Sequence, residues 1–353
     1  MNLCELQNSL FDAYRAARRH KRKTQSQLEF EVCQESSILK LARELESRTY
    51  ELSPSICFVN KVPVCREVVA ADFRDRVVHH LLYNWIYPVF DRQFIYDSYS
   101  CRVGKGTLFG IQRAKGFIRA ASDDFRRKAY VLRLDVSGFF MNVNRRVLWD
   151  LLTAGLERAK WKNVPDVDLA KFLLKKFVFD DPLSRARFRG RESDWALLPK
   201  NKTLKNSPPD CGLPIGNLTS QLFGNVYMNP LDHYVKRVLK FRHYGRYVDD
   251  MVFVHSDKSV LLEAIEKVRE FLRTRLYLTL HPNKIYLQPV SCGFPFLGAF
   301  VLPWRVYPGR RMVKNFKRCR IASAENRLER ECRLPSYRGL LAHFDAWKLS
   351  VAL

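Results

Sequence analysis

No two of the nine cysteines, at positions 4, 33, 57, 65, 101, 211, 292, 319 and 332, stand in a C-x-x-C pair. A zinc knuckle or a thioredoxin-like dithiol is therefore not indicated, and an odd, dispersed set reads as reduced intracellular thiols. No uncharged apolar run approaches the roughly 18 residues that span a bilayer. The first ten residues include Asn2, Glu5 and Gln7 and lack the charged start and apolar run of a signal peptide, so a cytoplasmic protein with no membrane partner is expected. Internal repeats and low-complexity segments are absent. Acidic charge is scarce: 36 Asp and Glu face 61 Lys and Arg, for a formal charge of +25. That excess points first to nucleic acid, although a solubilising surface or a binder of anionic membranes carries the same signature.

What is present is a chain of 353 residues, 47% hydrophobic, enough for a sizeable core divided into two or three subdomains. Residues 10–23 read as a helix ending in the basic run Arg18-Arg19-His20-Lys21-Arg22-Lys23, either a solvated face or an arm for backbone phosphates. Residues 35–48 carry Ile38, Leu39, Leu41, Ala42 and Leu45 at helical spacing. Residues 50–69, with Pro54, Pro63 and β-branched side chains, read as short strands. In 76–90 a core stripe of Val77, Val78, Leu81, Leu82, Trp85 and Ile86 predicts a helix. Residues 180–210, rich in Arg, Lys, Asn and Pro, read as a long basic loop, and after Pro303 the chain becomes basic and helical.

The sharpest local signal is Arg246-Tyr247-Val248-Asp249-Asp250-Met251-Val252-Phe253-Val254, two apolar runs joined across an acidic pair. Alternation on both sides predicts a β-hairpin with the aspartates at its turn. Adjacent carboxylates repel, and Asp-Asp in a turn is by itself more often structural than catalytic. A second acidic position shifts that balance: the apolar strand Tyr130-Val131-Leu132-Arg133-Leu134 ends in Asp135, and a buried strand-end charge demands a partner. If this strand lies beside the hairpin in one antiparallel sheet, Asp135, Asp249 and Asp250 converge. Hard oxygen donors with no nearby His or Cys suit magnesium, and two such ions about 4 Å apart can activate a primer 3′-hydroxyl and stabilise leaving pyrophosphate.

Leu134-Asp135-Val136-Ser137-Gly138-Phe139-Phe140 resembles the first catalytic motif of reverse transcriptases, and Tyr247-Val248-Asp249-Asp250 resembles their second, in the same order and separation. Between them, Gly212-Leu213-Pro214-Ile215-Gly216-Asn217-Leu218-Thr219-Ser220-Gln221 is similar to the loop and helix start that support template and incoming nucleotide. Group II intron and retroviral enzymes show Gln-Gly then Ser-Pro here. Ile-Gly then Ser-Gln resembles the enzymes of diversity-generating retroelements. The likeness extends to Ala71-Asp72-Phe73-Arg74-Asp75-Arg76, to Ser100-Cys101-Arg102-Val103-Gly104-Lys105-Gly106, to Trp195 with Leu198-Pro199, to His281-Pro282-Asn283-Lys284, to Gly293-Phe294-Pro295-Phe296-Leu297-Gly298 and to Ser336-Tyr337-Arg338-Gly339, covering nearly the whole chain.

The resemblance implies an α+β right-hand polymerase fold with fingers, an antiparallel-sheet palm and a short helical thumb. It divides the chain into 1–121 (N-terminal extension and fingers), 122–302 (palm, with a fingers excursion at about 143–211) and 303–353 (thumb). It implies RNA-directed DNA synthesis, error-prone at template adenines, with two Mg2+ on Asp135, Asp249 and Asp250. Template RNA, a primer or cDNA, deoxynucleoside triphosphates and a small basic oligomeric accessory variability protein are the implied partners. A reverse transcriptase of phage defence or another retroelement is the nearest alternative, and a non-catalytic RNA-binding scaffold the alternative of another class. Phe140, five residues after Asp135, stands where the family places an aromatic gate beneath the incoming sugar, whereas Phe139 reads as core. Ile215, Gly216, Lys61 and Arg66 fall in the implied nucleotide-binding region. Lys284 matches a lysine near the leaving pyrophosphate, and a solvated lysine after Pro282 explains it equally. Arg102 is a template candidate. Gln221 is either a template contact or a helix cap. Gly293, Phe294, Phe296, Leu297 and Gly298 resemble the hairpin that grips the primer.

Overall fold

The structure is a computed structural model that describes residues 1–19, 24–61, 64–323, 326–327, 329–347 and 349. His20 to Lys23 of the basic run, and Pro63, lie outside the described residues. The chain begins with α1 (Leu3–Arg18), α2 (Gln25–Val32), α3 (Gln34–Glu46), β1 (Ile56–Asn60), β2 (Arg66–Ala70), α4 (Phe73–Asp91) and α5 (Thr107–Ala121). Next come β3 (Tyr130–Leu134), α6 (Phe139–Asn142), α7 (Arg145–Arg158), α8 (Val167–Val178), β4 (Arg187–Arg189), α9 (Glu192–Ala196) and α10 (Leu218–His233). The last third holds β5 (Tyr244–Tyr247), β6 (Asp250–His255), α11 (Lys258–Arg275), β7 (Tyr286–Pro289), β8 (Phe294–Phe296), β9 (Ala299–Val301), β10 (Val306–Pro308), α12 (Arg310–Ala322) and α13 (Leu334–Leu341). These elements pack as two units, each woven from three chain segments: Met1–Phe94, Ser137–Pro230 and Phe271–Thr279 in the first, Ile95–Val136, Leu231–Glu270 and Leu280–Leu353 in the second.

In the first unit the apolar stripe of α4 is buried as its periodicity predicts, from Val77 to Ile86. Its N-terminus is capped by Asp72, and the buried Asp75 carboxylate accepts from Tyr50 Oη and Ser53 N, both at 2.7 Å. α1 starts well before residue 10 because Asn2 and Glu5 form a reciprocal capping box that satisfies two orphan donors. In α3, Ile38, Leu41, Ala42 and Leu45 are buried, but Leu39 lies on the exposed face. β1 pairs antiparallel with β2 and, on its other edge, parallel with β4.

That last pairing corrects the expectation of a long loop over 180–210: the segment contains β4, α9 and two short 3-10 turns. Its anchor is a carboxylate. Glu67 of β2, 2% exposed, accepts from Trp195 Nε1 at 3.0 Å, Thr203 Oγ1 at 2.7 Å and Leu204 N at 2.7 Å. Elements this short show no periodicity, and their order comes from tertiary hydrogen bonds.

The second unit is built on a four-stranded antiparallel sheet in the order β5-β6-β3-β7, with a three-stranded antiparallel sheet β10-β9-β8. Ile111, Ala114, Phe117 and Ile118 of α5 close over Val131, Val252 and Val254 of the first sheet and over Phe294, Phe296 and Val301 of the second. Full burial of such a side chain contributes about 1.5–3 kcal/mol. Gly245 is required by proximity, since a Cβ there would lie 2.0 Å from Tyr99 Oη. Near the C-terminus Phe316, Cys319, Leu334, Leu341 and Ala346 form a separate small core. None of the nine cysteines is joined in a disulfide, and among the described residues no helix is long and apolar enough to cross a membrane.

Removing the Glu67 carboxylate leaves two buried donors, Thr203 Oγ1 and Leu204 N, and the half-buried Trp195 Nε1 without their acceptor, at about 1–3 kcal/mol for each buried one before relaxation. Glu67→Ala is therefore expected to destabilise the chain by about 3 kcal/mol or more and to speed tryptic cleavage at Lys200, Lys202 and Lys205. Unchanged melting and cleavage rates in this variant would refute the anchor.

Candidate active site

The register of the central sheet brings the acidic positions together. β3 runs antiparallel to β6 with Leu134 opposite Met251, so Asp135, the residue just past β3, and Asp250, the first residue of β6, come at the same end of the sheet. The predicted hairpin forms, but Tyr247 pairs with Asp250, so its two-residue turn is Val248 and Asp249 and only one of the two aspartates lies in it, the other opening β6. Val248 occupies the left-handed region at φ +57°. A β-branched residue held there stores about 1–3 kcal/mol of strain, a cost that persists only where surroundings over-determine the backbone.

The three carboxylates are compensated unequally. Asp135 receives the Lys284 ammonium at 2.8 Å, and its carbonyl accepts from His281 N at 2.8 Å, so one turn grips both side chain and backbone. Asp250 accepts at both oxygens from Arg133 Nη2, each at 2.9 Å. Burial pushes the Asp250 carboxyl up, and Arg133 offsets part of that. Among the described residues no cation forms an ion pair with Asp249: burial first, then the charge of Asp135, push its carboxyl up to about 7, and the more distant charge of Lys284 offsets part of that. Arg133 also lies over the Phe296 ring, 5.9 Å from its centroid. Sequence reasoning gave Arg133 no role, although its place two residues before Asp135 on one strand puts it on the same face.

The three carboxylates at this end of the sheet offer oxygen donors, the chemistry a hard divalent cation prefers. Among the described residues no three His, Cys, Asp or Glu side chains stand as a ready ligand group, and Asp250 is engaged by Arg133. Asp135 and Asp249 are thus the pair best disposed toward a magnesium-type ion, and Asp250 would join by exchanging Arg133.

The other predicted positions of the second unit divide. Gly293 to Gly298 do form a hairpin, closed by Leu297 and Gly298, both at positive φ, between β8 and β9. Phe294 and Phe296 face its core, 0% and 1% exposed, so their rings pack rather than face solvent. Arg102 is turned inward, its Nη1 donating to the carbonyls of Ile95 at 2.7 Å and Ser98 at 3.1 Å.

In the first unit Phe140 and Ile215 pack against one small cluster of Cys57, Val69, Met141 and Leu204, while Phe139 is buried as expected. Ile215 O accepts from Val69 N at 2.8 Å. Gly216 follows at φ +137°, where a Cβ would come within 2.6 Å of Val69 O, so only glycine fits. Lys61 ends up paired with Asp194 at 2.6 Å, and Arg66 opens β2 with its side chain exposed. Gln221 is exposed at the fourth position of α10, not at its start, which removes the capping role.

Residues 64–299 match the protein family described as reverse transcriptase (RNA-dependent DNA polymerase). Protein YkfC of Escherichia coli (strain K12) is 23% identical over an alignment of 257 residues that covers 64% of this chain and 60% of that protein. The chain thus spans about three-fifths of the length of that relative. Apo telomerase from Candida Tropicalis, truncated from its C-terminal domain, is similar in structure with a TM-score of 0.50 at 11% identity, covering 76% of this chain and 59% of that one. The fold is accordingly the α+β right-hand polymerase fold, with fingers, antiparallel-sheet palm and short helical thumb.

An unfolded aspartate titrates near 3.9, about three units below the folded Asp249. Across that interval the folded chain holds the extra proton, so stability falls as pH rises from about 4 to about 7 and stays lowered above. In chelator, Asp249→Asn is expected to raise the melting temperature near pH 8 and leave it unchanged near pH 4, and Mg2+ to raise that of the wild type near pH 8. An offset between the two proteins that is the same at both pH values would refute this.

Proposed function

Since the chain belongs to the reverse transcriptase (RNA-dependent DNA polymerase) family, we propose that it copies a template RNA into cDNA from deoxynucleoside triphosphates, with Asp135, Asp249 and Asp250 as the ligands of two magnesium ions. The observation that carries this reading is the convergence of a strand-end carboxylate and a turn carboxylate at one end of the sheet, with Lys284 on the first of them. Bound there, the ions would supply Lewis acidity to the primer 3′-hydroxyl and screen the pyrophosphate as it leaves. Asp249, whose proton is lost only near neutrality, gives up that proton on taking a cation. Lys284, held beside Asp135, is the candidate proton donor to pyrophosphate.

Phe140 and Ile215 form an apolar seat on a common cluster, with Phe140 as the gate that excludes a ribose 2′-hydroxyl. Lys61 and Arg66 on the β1–β2 hairpin would meet the triphosphate, with Asp194 released from Lys61 as phosphate replaces it. Arg102, Gln221 and the 293–298 hairpin belong to the template and primer side. In this reading the fingers comprise 1–121 with the excursion at about 143–211, the palm 122–302 and the thumb 303–353. The finer assignment is to a diversity-generating retroelement, with errors at template adenines and a small basic oligomeric accessory protein as partner. Its support is the string Ile215-Gly216-Asn217-Leu218-Thr219-Ser220-Gln221, where an apolar residue replaces a glutamine amide.

Primer extension on RNA with Mg2+ tests the activity. Asp135→Ala and Asp249→Ala should each slow nucleotide addition by about a thousandfold or more while RNA affinity, spread over many basic residues, persists. Substantial extension by either variant refutes the site. Sequencing the wild-type product tests the retroelement assignment, and an error rate at template adenines no higher than at other bases removes it. Phe140→Ala should raise ribonucleotide incorporation by roughly 10–200-fold, and unchanged discrimination would move the gate elsewhere.

A further inference from the structure

Behind the Val248-Asp249 turn lies an ion pair that the sequence reading did not use. Arg246 and Asp232 are both 0% exposed at their side chains. Arg246 Nε donates to Asp232 Oδ1 at 2.8 Å and Nη2 to Oδ2 at 2.6 Å, and Tyr244 Oη donates to Asp232 Oδ1 at 2.7 Å. The remaining nitrogen, Nη1, donates to the carbonyl of Val248 at 2.7 Å. The backbone of Arg246 is fixed as well: its N donates to Asp97 O, and its O accepts from Tyr99 N, both at 2.9 Å. These bonds cover the outer edge of β5, the edge strand of the sheet.

A buried pair of this kind is often replaceable by apolar residues without loss of stability, so stability alone does not account for it. Its geometry supplies another account. The Val248 carbonyl belongs to the peptide plane that ends at Asp249 N, and rotation of that plane swings the Asp249 side chain. Val248 at φ +57° has easier conformations to relax into, and a short charge-assisted bond from a guanidinium, itself clamped on Asp232, opposes that relaxation. A lysine cannot make this set of bonds, because holding a carboxylate at two atoms and a carbonyl at a third needs a planar fork.

We propose that Arg246, oriented by Asp232, is a positioning residue that sets the Val248–Asp249 peptide plane and thereby holds the Asp249 carboxylate in the pose that serves Asp135 and a shared cation. This rests on the reading of Asp135 and Asp249 as ligands and adds to it the element that keeps one of them in place.

The test compares the full chain with Arg246→Lys and with the paired Arg246→Met/Asp232→Leu, which removes the charges together. Mn2+ affinity is read by the loss of the free-ion electron paramagnetic resonance signal, folding by thermal melting, and kcat and nucleotide KM by primer extension. Expected for the paired variant is a melting temperature no lower than wild type, with Mn2+ binding weakened and kcat lowered by about tenfold or more and nucleotide KM little changed. Arg246→Lys should show the same pattern, and it decides the matter if the paired variant does not fold. A folded variant with wild-type Mn2+ affinity and kcat overturns the proposal. Should the wild type bind Mn2+ yet make no DNA, the polymerase reading fails separately, and weaker or equal Mn2+ binding by the variants still supports or overturns the positioning role.

Discussion

Three carboxylates gathered at one end of a four-stranded sheet repel each other, and the second unit is organised around containing that repulsion. Asp135 is met by an ammonium from the turn before β7, Asp250 by a guanidinium from the middle of β3, and Asp249 by neither. The uncompensated group sits on the strained turn, the one place in the sheet where the backbone is held against its preference. In a chain of formal charge +25, a group of three carboxylates against two cations runs counter to the overall charge, and such a grouping is how a cationic protein that attracts polyanions can still draw divalent cations to one point.

In the first unit the comparable organiser is β2. Its Val69 N–H holds the carbonyl of Ile215, the Ala71 N–H just beyond it reaches the Asn217 side chain, and its Glu67 side chain holds the 195–204 segment. One short strand thus holds two neighbouring segments, 195–204 and 215–217, across at least 128 residues of sequence. The constraint on Gly216 is part of the same arrangement, since the loop approaches β2 too closely for any side chain.

Much of this was legible in the residues. The stripe of α4, the hairpin around Asp249 and the strand ending at Asp135 follow from periods of 3.6 and 2, because burial of a stripe or a face leaves a periodic trace. The antiparallel pairing that unites Asp135 with the hairpin could be posed only as a condition, since register is a long-range property. The 180–210 segment was misread because its order resides in hydrogen bonds to Glu67 and a parallel pairing with β1, neither of which is periodic. Arg102 and Arg133 show the matching difficulty for charge: in a chain with 61 basic residues, nothing local says which cation turns inward to a carbonyl or a carboxylate. The Asn2–Glu5 capping box, by contrast, was visible as a pattern and simply marks the helix start earlier than the apolar spacing does.

The Glu67 anchor has a temporal side. Its acceptor and the Thr203 hydroxyl are 136 residues apart in sequence. At a synthesis rate of about 5–20 residues per second, the interval between their emergence from the ribosome is roughly 7–27 seconds. Throughout that time the β1–β2 hairpin exists without the segment that will seal one edge of β1, so an unpaired strand and an unsatisfied carboxylate stay in contact with water. Glu67 lies on β2, the other outer strand of this sheet, and a hydrated, charged side chain there discourages pairing of the hairpin with a neighbouring chain until its own partners arrive.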